Sequence, residues 1–206
     1  MLLVIGNYNY SSWSLRAWIA LKSFGFSFDE KRVPLYGPGA KQEILRDSPA
    51  GKVPVLIDGK AVVWDSLAIL EYLAEKNPKV WPTDTSDRAR ARSVSAEMHS
   101  GFAHLRTHMS MNVRKRYPGK GRTPEVLSEI ERINAIWSDA KGPFLFGPFS
   151  GADAMYAPVV LRFRTYGVQA DNQAYYDAML ALPAMQAWIA AAEREPESIP
   201  QFDMYE

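Results

Sequence analysis

Leu2-Leu3-Val4-Ile5-Gly6-Asn7-Tyr8-Asn9-Tyr10-Ser11-Ser12-Trp13-Ser14-Leu15-Arg16 opens the chain with a short apolar run, a polar turn and the first residues of a helical pattern. The apolar run has the length of a buried strand, and Gly6-Asn7 ends it at once. It looks superficially like the start of a signal peptide, but no basic region precedes it. Working outward, the pattern predicts a helix from about Ser14 to Phe24, a strand from Asp29 to Val33 and a short helix around Lys41 to Arg46. Strands at Val53 to Ile57 and Ala61 to Val63 follow, then a helix from Ser66 to Glu75. The order β-α-β-α-β-β-α implies a mixed sheet with helices packed on it, and Asp58-Gly59 is the hairpin turn between its last two strands.

Asn77-Pro78-Lys79-Val80-Trp81-Pro82 holds two prolines and reads as a linker, so the expected division is residues 1–77, a connection at 78–84 and a second domain at 85–206. Beyond it strand signals nearly vanish. Helices are expected from Thr85 to about Tyr117, Pro124 to Ala140, Asp153 to Tyr166, Asn172 to Leu180 and Pro183 to Glu193, with Gly142-Pro143 and Gly147-Pro148 as breaks. The fold class is therefore α/β plus all-α. No internal repeat or low-complexity tract interrupts it.

Composition narrows the function classes. With 24 Lys and Arg against 23 Asp and Glu, the chain has no overall field to draw it to nucleic acid or a membrane surface. The longest apolar runs, such as Ala154 to Leu161, fall short of the roughly 18 residues that a membrane span needs. Cysteine is absent, which removes disulfides, thiolate metal sites and any mechanism based on the protein's own thiol. Sulfur chemistry, if present, belongs to a ligand.

Three polar elements in the first domain point to such a ligand. Ser11, Ser12 and Ser14 lie between a strand and a helix, where hydroxyls and free backbone N–H groups meet the positive end of the helix dipole and favour an anion. For a thiol with a pKa of about 8.5, a downward shift of two units is worth about 2.7 kcal/mol and makes the thiolate the majority form at pH 7. The plain alternative is that Ser12 or Ser14 caps the helix, although three serines are more than one cap requires. Arg16 either supports that field or serves as an ordinary charge. Second, Gly51-Lys52-Val53-Pro54 places a proline at a strand entry. A cis bond there would turn the Val53 N–H and C=O toward an extended peptide, whereas a trans proline would only open an edge strand. Third, Asp65-Ser66 opens a helix, so that Ser66 and the first N–H groups offer an anion site while Asp65 takes an ammonium or simply caps the helix. In combination the three describe a site for a zwitterionic peptide carrying a thiol.

With these residues in this order, the first domain resembles the thioredoxin-like, glutathione-binding domain of the glutathione transferase superfamily, and the likeness continues through the helical domain to about residue 195. The resemblance implies a cis Pro54, a Val53 backbone paired with the cysteinyl unit of glutathione, and Asp65 and Ser66 on the γ-glutamyl end, with aspartate in place of the usual glutamate. It places Lys52, and with it Lys41 and Gln42, near the glycyl carboxylate. Ser11-Ser12-Trp13-Ser14 with Arg16 is similar to the serine-cysteine-serine signature of the zeta class, which includes maleylacetoacetate isomerase; Trp13 stands where that signature has cysteine and Leu15 where it has tryptophan. Ser11 takes the catalytic position of that signature, with Ser12 and Ser14 as near neighbours. Tyr8 and Tyr10 are the alternative tyrosine-type activators.

The resemblance implies a second-substrate wall between the domains, for which Tyr10, Trp13, His99, Arg106, Arg162 and Tyr166 are the candidates; arginines facing the cleft would favour an anionic electrophile. Met98, Phe102, Leu105 and Met109 form one stripe that reads as core. Ser150 and Asp153 form a capping-box pattern that carries no catalysis. His104 and His108 have the spacing of two metal ligands but lack the companions a metal site needs, so no metal is expected. The expected function is a serine-type, cytoplasmic, homodimeric transferase that adds the glutathione thiolate to a small electrophile. The alternatives are a glutathione-dependent cis-trans isomerase of the maleylacetoacetate type and a non-catalytic binding module.

Overall fold

The computed structural model describes residues 1–205. Its sheet holds four strands in the order β2-β1-β3-β4: β1 (Leu2–Ile5), β2 (Asp29–Arg32), β3 (Val55–Asp58) and β4 (Ala61–Trp64). β1 runs parallel to β2 and antiparallel to β3, with Val4 opposite Lys31 on one side and Val55 on the other. β3 and β4 form the expected hairpin, closed between Asp58 and Ala61. Gly59 takes φ of 60° there, a conformation open to glycine without a Cβ penalty.

Alternation along β1 sorts its side chains between two faces. Val4 joins Val33, Val55, Ala40 and Ile44, the last two from α2 (Ala40–Asp47), in a small cluster on one face. Leu3 and Ile5 join the main core with residues of α1 (Ser12–Ser23) and α3 (Ser66–Lys76). α1 is buried on nearly every side from Ser12 to Leu21 because it packs against α3 on one flank and a helix of the second half on the other. That partner is α7 (Gly151–Tyr166), whose start lies so close to Trp81 that a Cβ on Gly151 would sit 2.9 Å from the indole.

The remaining helices are α4 (Thr85–Ser100), α5 (Ala103–His108), α6 (Pro124–Ser138), α8 (Gln173–Ala181) and α9 (Pro183–Arg194). The structure departs from the sequence expectation after α4. The single helix from Thr85 to Tyr117 is two helices followed by irregular chain: α4 ends on Gly101, whose N–H donates to Glu97 O, and Phe102 enters the left-handed region at φ 58°. Phe102 is still buried, as are Met98, Leu105 and Met109, so the stripe is core although the helix beneath it is broken. Smaller shifts occur elsewhere: α1 starts at Ser12, β3 starts only after Pro54, and α7 starts at Gly151. After α9 the chain returns to the sheet. The buried Glu195 carboxylate accepts the N–H groups of Tyr8 at 2.7 Å and Asn9 at 2.8 Å.

No helix among the described residues is long and apolar enough to cross a membrane.

Candidate active site

Ser11 caps α1 and Ser12 is its first residue, so both hydroxyls sit where the helix leaves its N–H groups unpaired. They line a cavity of about 200 Å³ together with Tyr10, Trp13, Arg106 and Arg162. Ser14 does not reach it. Its side chain is fully buried, accepts the Gly6 N–H at 3.0 Å and lies 2.8 Å from the Ser11 hydroxyl. The Ser12 hydroxyl has no partner among the described residues.

Both tyrosines are engaged elsewhere. Tyr8 donates to Glu30, and the Tyr10 hydroxyl donates to the Asp203 carboxylate while accepting from the Ile199 N–H and Arg114. Tyr10 thus contributes its ring to the cavity, with its oxygen turned toward the carboxy-terminal segment.

Trp13 is held between charges. Arg16 lies over its ring at 4.3 Å and Arg106 at 5.7 Å, and His99 meets its edge at 5.4 Å. Arg16 is almost wholly buried, with its Nε and one terminal nitrogen unpartnered. Burial, then the neighbouring Arg106 and Arg162, push it down to about 9, so the guanidinium stays charged at neutral pH. Arg162 is also buried, donates to Met109 O and is pushed down to about 10, again mainly by burial. Two of these guanidinium groups, Arg106 and Arg162, line the cavity, and with the buried Arg16 beside them they favour an incoming anion.

Two expected wall residues lie elsewhere. Tyr166 is fully buried and donates to Ser110 O, because α7 turns that face into the core. His99 does not line the cavity; its Nε2 lies 2.7 Å from Asp65 Oδ2. Leu35, Tyr36, Ser110, Met111 and Phe202 also line the cavity and were not expected from the sequence. Tyr36 sits in the turn signal Tyr36-Gly37-Pro38-Gly39, but nothing local marks Phe202, which arrives from the far end of the chain.

The Val53–Pro54 peptide bond is cis. The Val53 N–H and C=O make no hydrogen bond among the described residues. Lys41 Nζ donates to the Gly51 carbonyl at 2.8 Å, and Lys52 is exposed beside it. Asp65 caps α3 with φ of 76° and accepts the Leu67 N–H at 2.8 Å. Burial pushes its carboxyl up, but the His99 and backbone N–H bonds outweigh that and hold it below the usual range. The buried Ser66 hydroxyl next to it has no partner, and an orphaned polar atom in such a place calls for a ligand group. Val53, Asp65 and Ser66 do not line the cavity; Trp13 and His99 link it to Asp65.

Residues 10–76 match the family model of the glutathione S-transferase N-terminal domain, and residues 90–191 match that of the C-terminal domain. The chain belongs to the glutathione S-transferase family. A maleylacetoacetate isomerase from Rattus norvegicus is 30% identical over 210 residues, covering 95% of this chain and 94% of the relative. A probable maleylacetoacetate isomerase from Caenorhabditis elegans is 38% identical over 96 residues, 46% of this chain and only 44% of that protein's length. A Burkholderia glutathione transferase homologue solved with bound glutathione has the same fold, with a TM-score of 0.72 at 24% identity over 94% of this chain and 98% of its own. The glutathione transferase fold thus joins its thioredoxin-like and helical parts along α1 and α7, where the cavity opens. His104 and His108 stack 6.4 Å apart, and no group of three side chains that could hold a metal occurs among the described residues.

Proposed function

We propose that this chain binds glutathione along Val53, Asp65 and Ser66, stabilises its thiolate with the serines at the start of α1, and adds the sulfur to a small anionic electrophile. The observation that carries the reading is the cavity itself, whose lining combines Ser11 and Ser12 with Arg106 and Arg162. The orphaned Ser66 hydroxyl fits a carboxylate, the open side of the half-exposed Asp65 carboxylate fits an ammonium, and the unpaired Val53 backbone fits an extended peptide between them. Lys52, exposed next to Val53, and Lys41, whose Nζ donates to the Gly51 carbonyl, are assigned in this reading to the glycyl carboxylate. A hydroxyl at a helix N-terminus donates to the thiolate, and the arginines orient the electrophile by its negative group. Attack forms the carbon–sulfur bond and moves the electron pair of the double bond toward its conjugated carbonyl. The thiol proton leaves to solvent as the thiolate forms, and where the conjugate is the product the enolate of the adduct takes a proton back from solvent.

A second reading is the reverse-capable form of the same step: the former double bond rotates in the adduct, and sulfur then departs as thiolate. It is favoured by the pair of arginines, which suits a substrate with two carboxylates, and by the relative of similar length named maleylacetoacetate isomerase. In either form we expect a cytoplasmic homodimer, whose mass sedimentation would give.

Retention on immobilised glutathione is expected, followed by a thiolate absorbance that persists to lower pH in the complex than in free glutathione. Failure of both overturns the reading, and retention without the thiol shift leaves a binding module instead. Activity compared across maleylacetone, aryl halides and organic peroxides then separates isomerisation from conjugation and peroxide reduction.

A further inference from the structure

We infer that Ser14, which the cavity does not reach, is a positioning residue that aims the Ser11 proton at the bound sulfur; this rests on the reading of Ser11 as a thiolate donor. A hydroxyl has one proton to give and two lone pairs to accept with. Ser14 Oγ accepts the Gly6 N–H at 3.0 Å, and its only other polar neighbour among the described residues is Ser11 Oγ at 2.8 Å. Were Ser11 to donate across that contact, the Ser14 proton would be left without an acceptor in a fully buried site. With Ser14 donating, every Ser14 group is satisfied. Ser11 Oγ then accepts from the Ser14 hydroxyl and, more distantly, from the Ser14 N–H at 3.4 Å. Its own proton is free, and the open side of Ser11 is the cavity.

The sequence Gly6 N–H to Ser14 to Ser11 to thiolate is a chain in which each hydroxyl accepts before it donates. Such chains polarise one another, so that the terminal O–H is a stronger donor than an isolated serine. The first link is also rigid. Gly6 directly follows β1, which is paired on both sides within the sheet. Ser12 has no such backing, since its hydroxyl has no partner among the described residues.

The chain holds no cysteine, so in the wild type the ultraviolet thiolate band of the complex belongs to glutathione alone. The test is the pKa of bound glutathione, read from that band against pH, in the wild type, Ser14→Ala and Ser14→Cys. Each variant is referenced to its own ligand-free spectrum. Ser14→Ala removes the donor, and Ser14→Cys nearly keeps the volume but donates weakly, which covers the case in which the alanine variant does not fold. Both are expected to raise the thiol pKa by about half a unit to one unit, a loss of about three- to tenfold in thiolate at pH values below both pKa values. Affinity for S-methylglutathione, which has no thiol to activate, is expected to stay within about twofold, a readout that a merely structural role for Ser14 would not leave untouched. A folded variant of either kind whose bound thiol titrates as in the wild type overturns the inference. A wild-type complex whose thiol is unshifted overturns instead the thiolate reading on which it rests.

Discussion

Ser11 and Ser12 present the same group to the same cavity but differ in what fixes them. The Ser11 oxygen is tied to Ser14, while the Ser12 hydroxyl must surrender its rotational freedom each time it donates. A donor held in place before the reaction contributes more to charge stabilisation than one that has to be ordered. Ser11→Ala is therefore expected to lower kcat/KM for thiolate addition by about 10²- to 10³-fold, and Ser12→Ala by less than about tenfold, in steady-state assays across glutathione concentrations. The arginines call for a different readout. Arg106 is half-buried and lines the cavity, so Arg106→Met is expected to raise KM for a carboxylate-bearing electrophile by about tenfold or more while leaving a neutral one nearly unchanged. The serines were legible from the chain because a polar turn between an apolar run and a helix is a local pattern. Which of them line the cavity was not, since that depends on Gly6 and Ser14 closing against each other across the turn.

Among the elements, α7 shows how a buried charge serves a helix start. Asp153 accepts from the Leu145 and Ser150 N–H groups at 3.0 and 2.8 Å and from the Ser150 hydroxyl at 2.9 Å, yet burial still pushes its carboxyl up to about 6. A folded-state value above the ordinary 3.8 means that the folded chain holds this proton more tightly than the unfolded one. Its contribution to stability is complete below about pH 4 and is lost as pH rises through about 6, a change on the order of 2–3 kcal/mol. Asp153→Asn cannot titrate. In urea unfolding the gap between wild type and this variant is expected to narrow from pH 4 to pH 7, and a constant gap would contradict the assignment. The capping pattern was readable because its partners stand three residues apart. The break between α4 and α5 was not: a lone glycine is tolerated within a helical pattern, and the left-handed Phe102 is offset by burial of its ring and by the Glu129 carboxylate on the His104 and Leu105 N–H groups.

Across the whole molecule, the segment after α9 connects the ends of the chain at the cavity. Glu195 holds Tyr8 and Asn9, Arg114 donates to Glu195 O, and Asp203 takes the Tyr10 hydroxyl and the Asn112 amide. These bonds span up to 193 residues, which is why no local pattern announced them. Their result is that Phe202 packs against the rings of Tyr10 at 5.8 Å and Tyr36 at 5.6 Å, giving the cavity an aromatic side in addition to Arg106 and Arg162. Such a wall discriminates by apolar contact, because a planar body buries area against Phe202 and a short aliphatic acid does not. Phe202→Ala is thus expected to raise KM about tenfold for an electrophile with an aryl body and less than about twofold for a short aliphatic one. Glutathione affinity, assigned in the proposed function to Val53, Asp65 and Ser66, should stay the same in that variant. Calorimetric titration with glutathione alongside steady-state kinetics on the two electrophile types separates these outcomes: equal losses on both types would mean that Phe202 only braces the segment, whereas a loss confined to the aryl substrate assigns it to specificity.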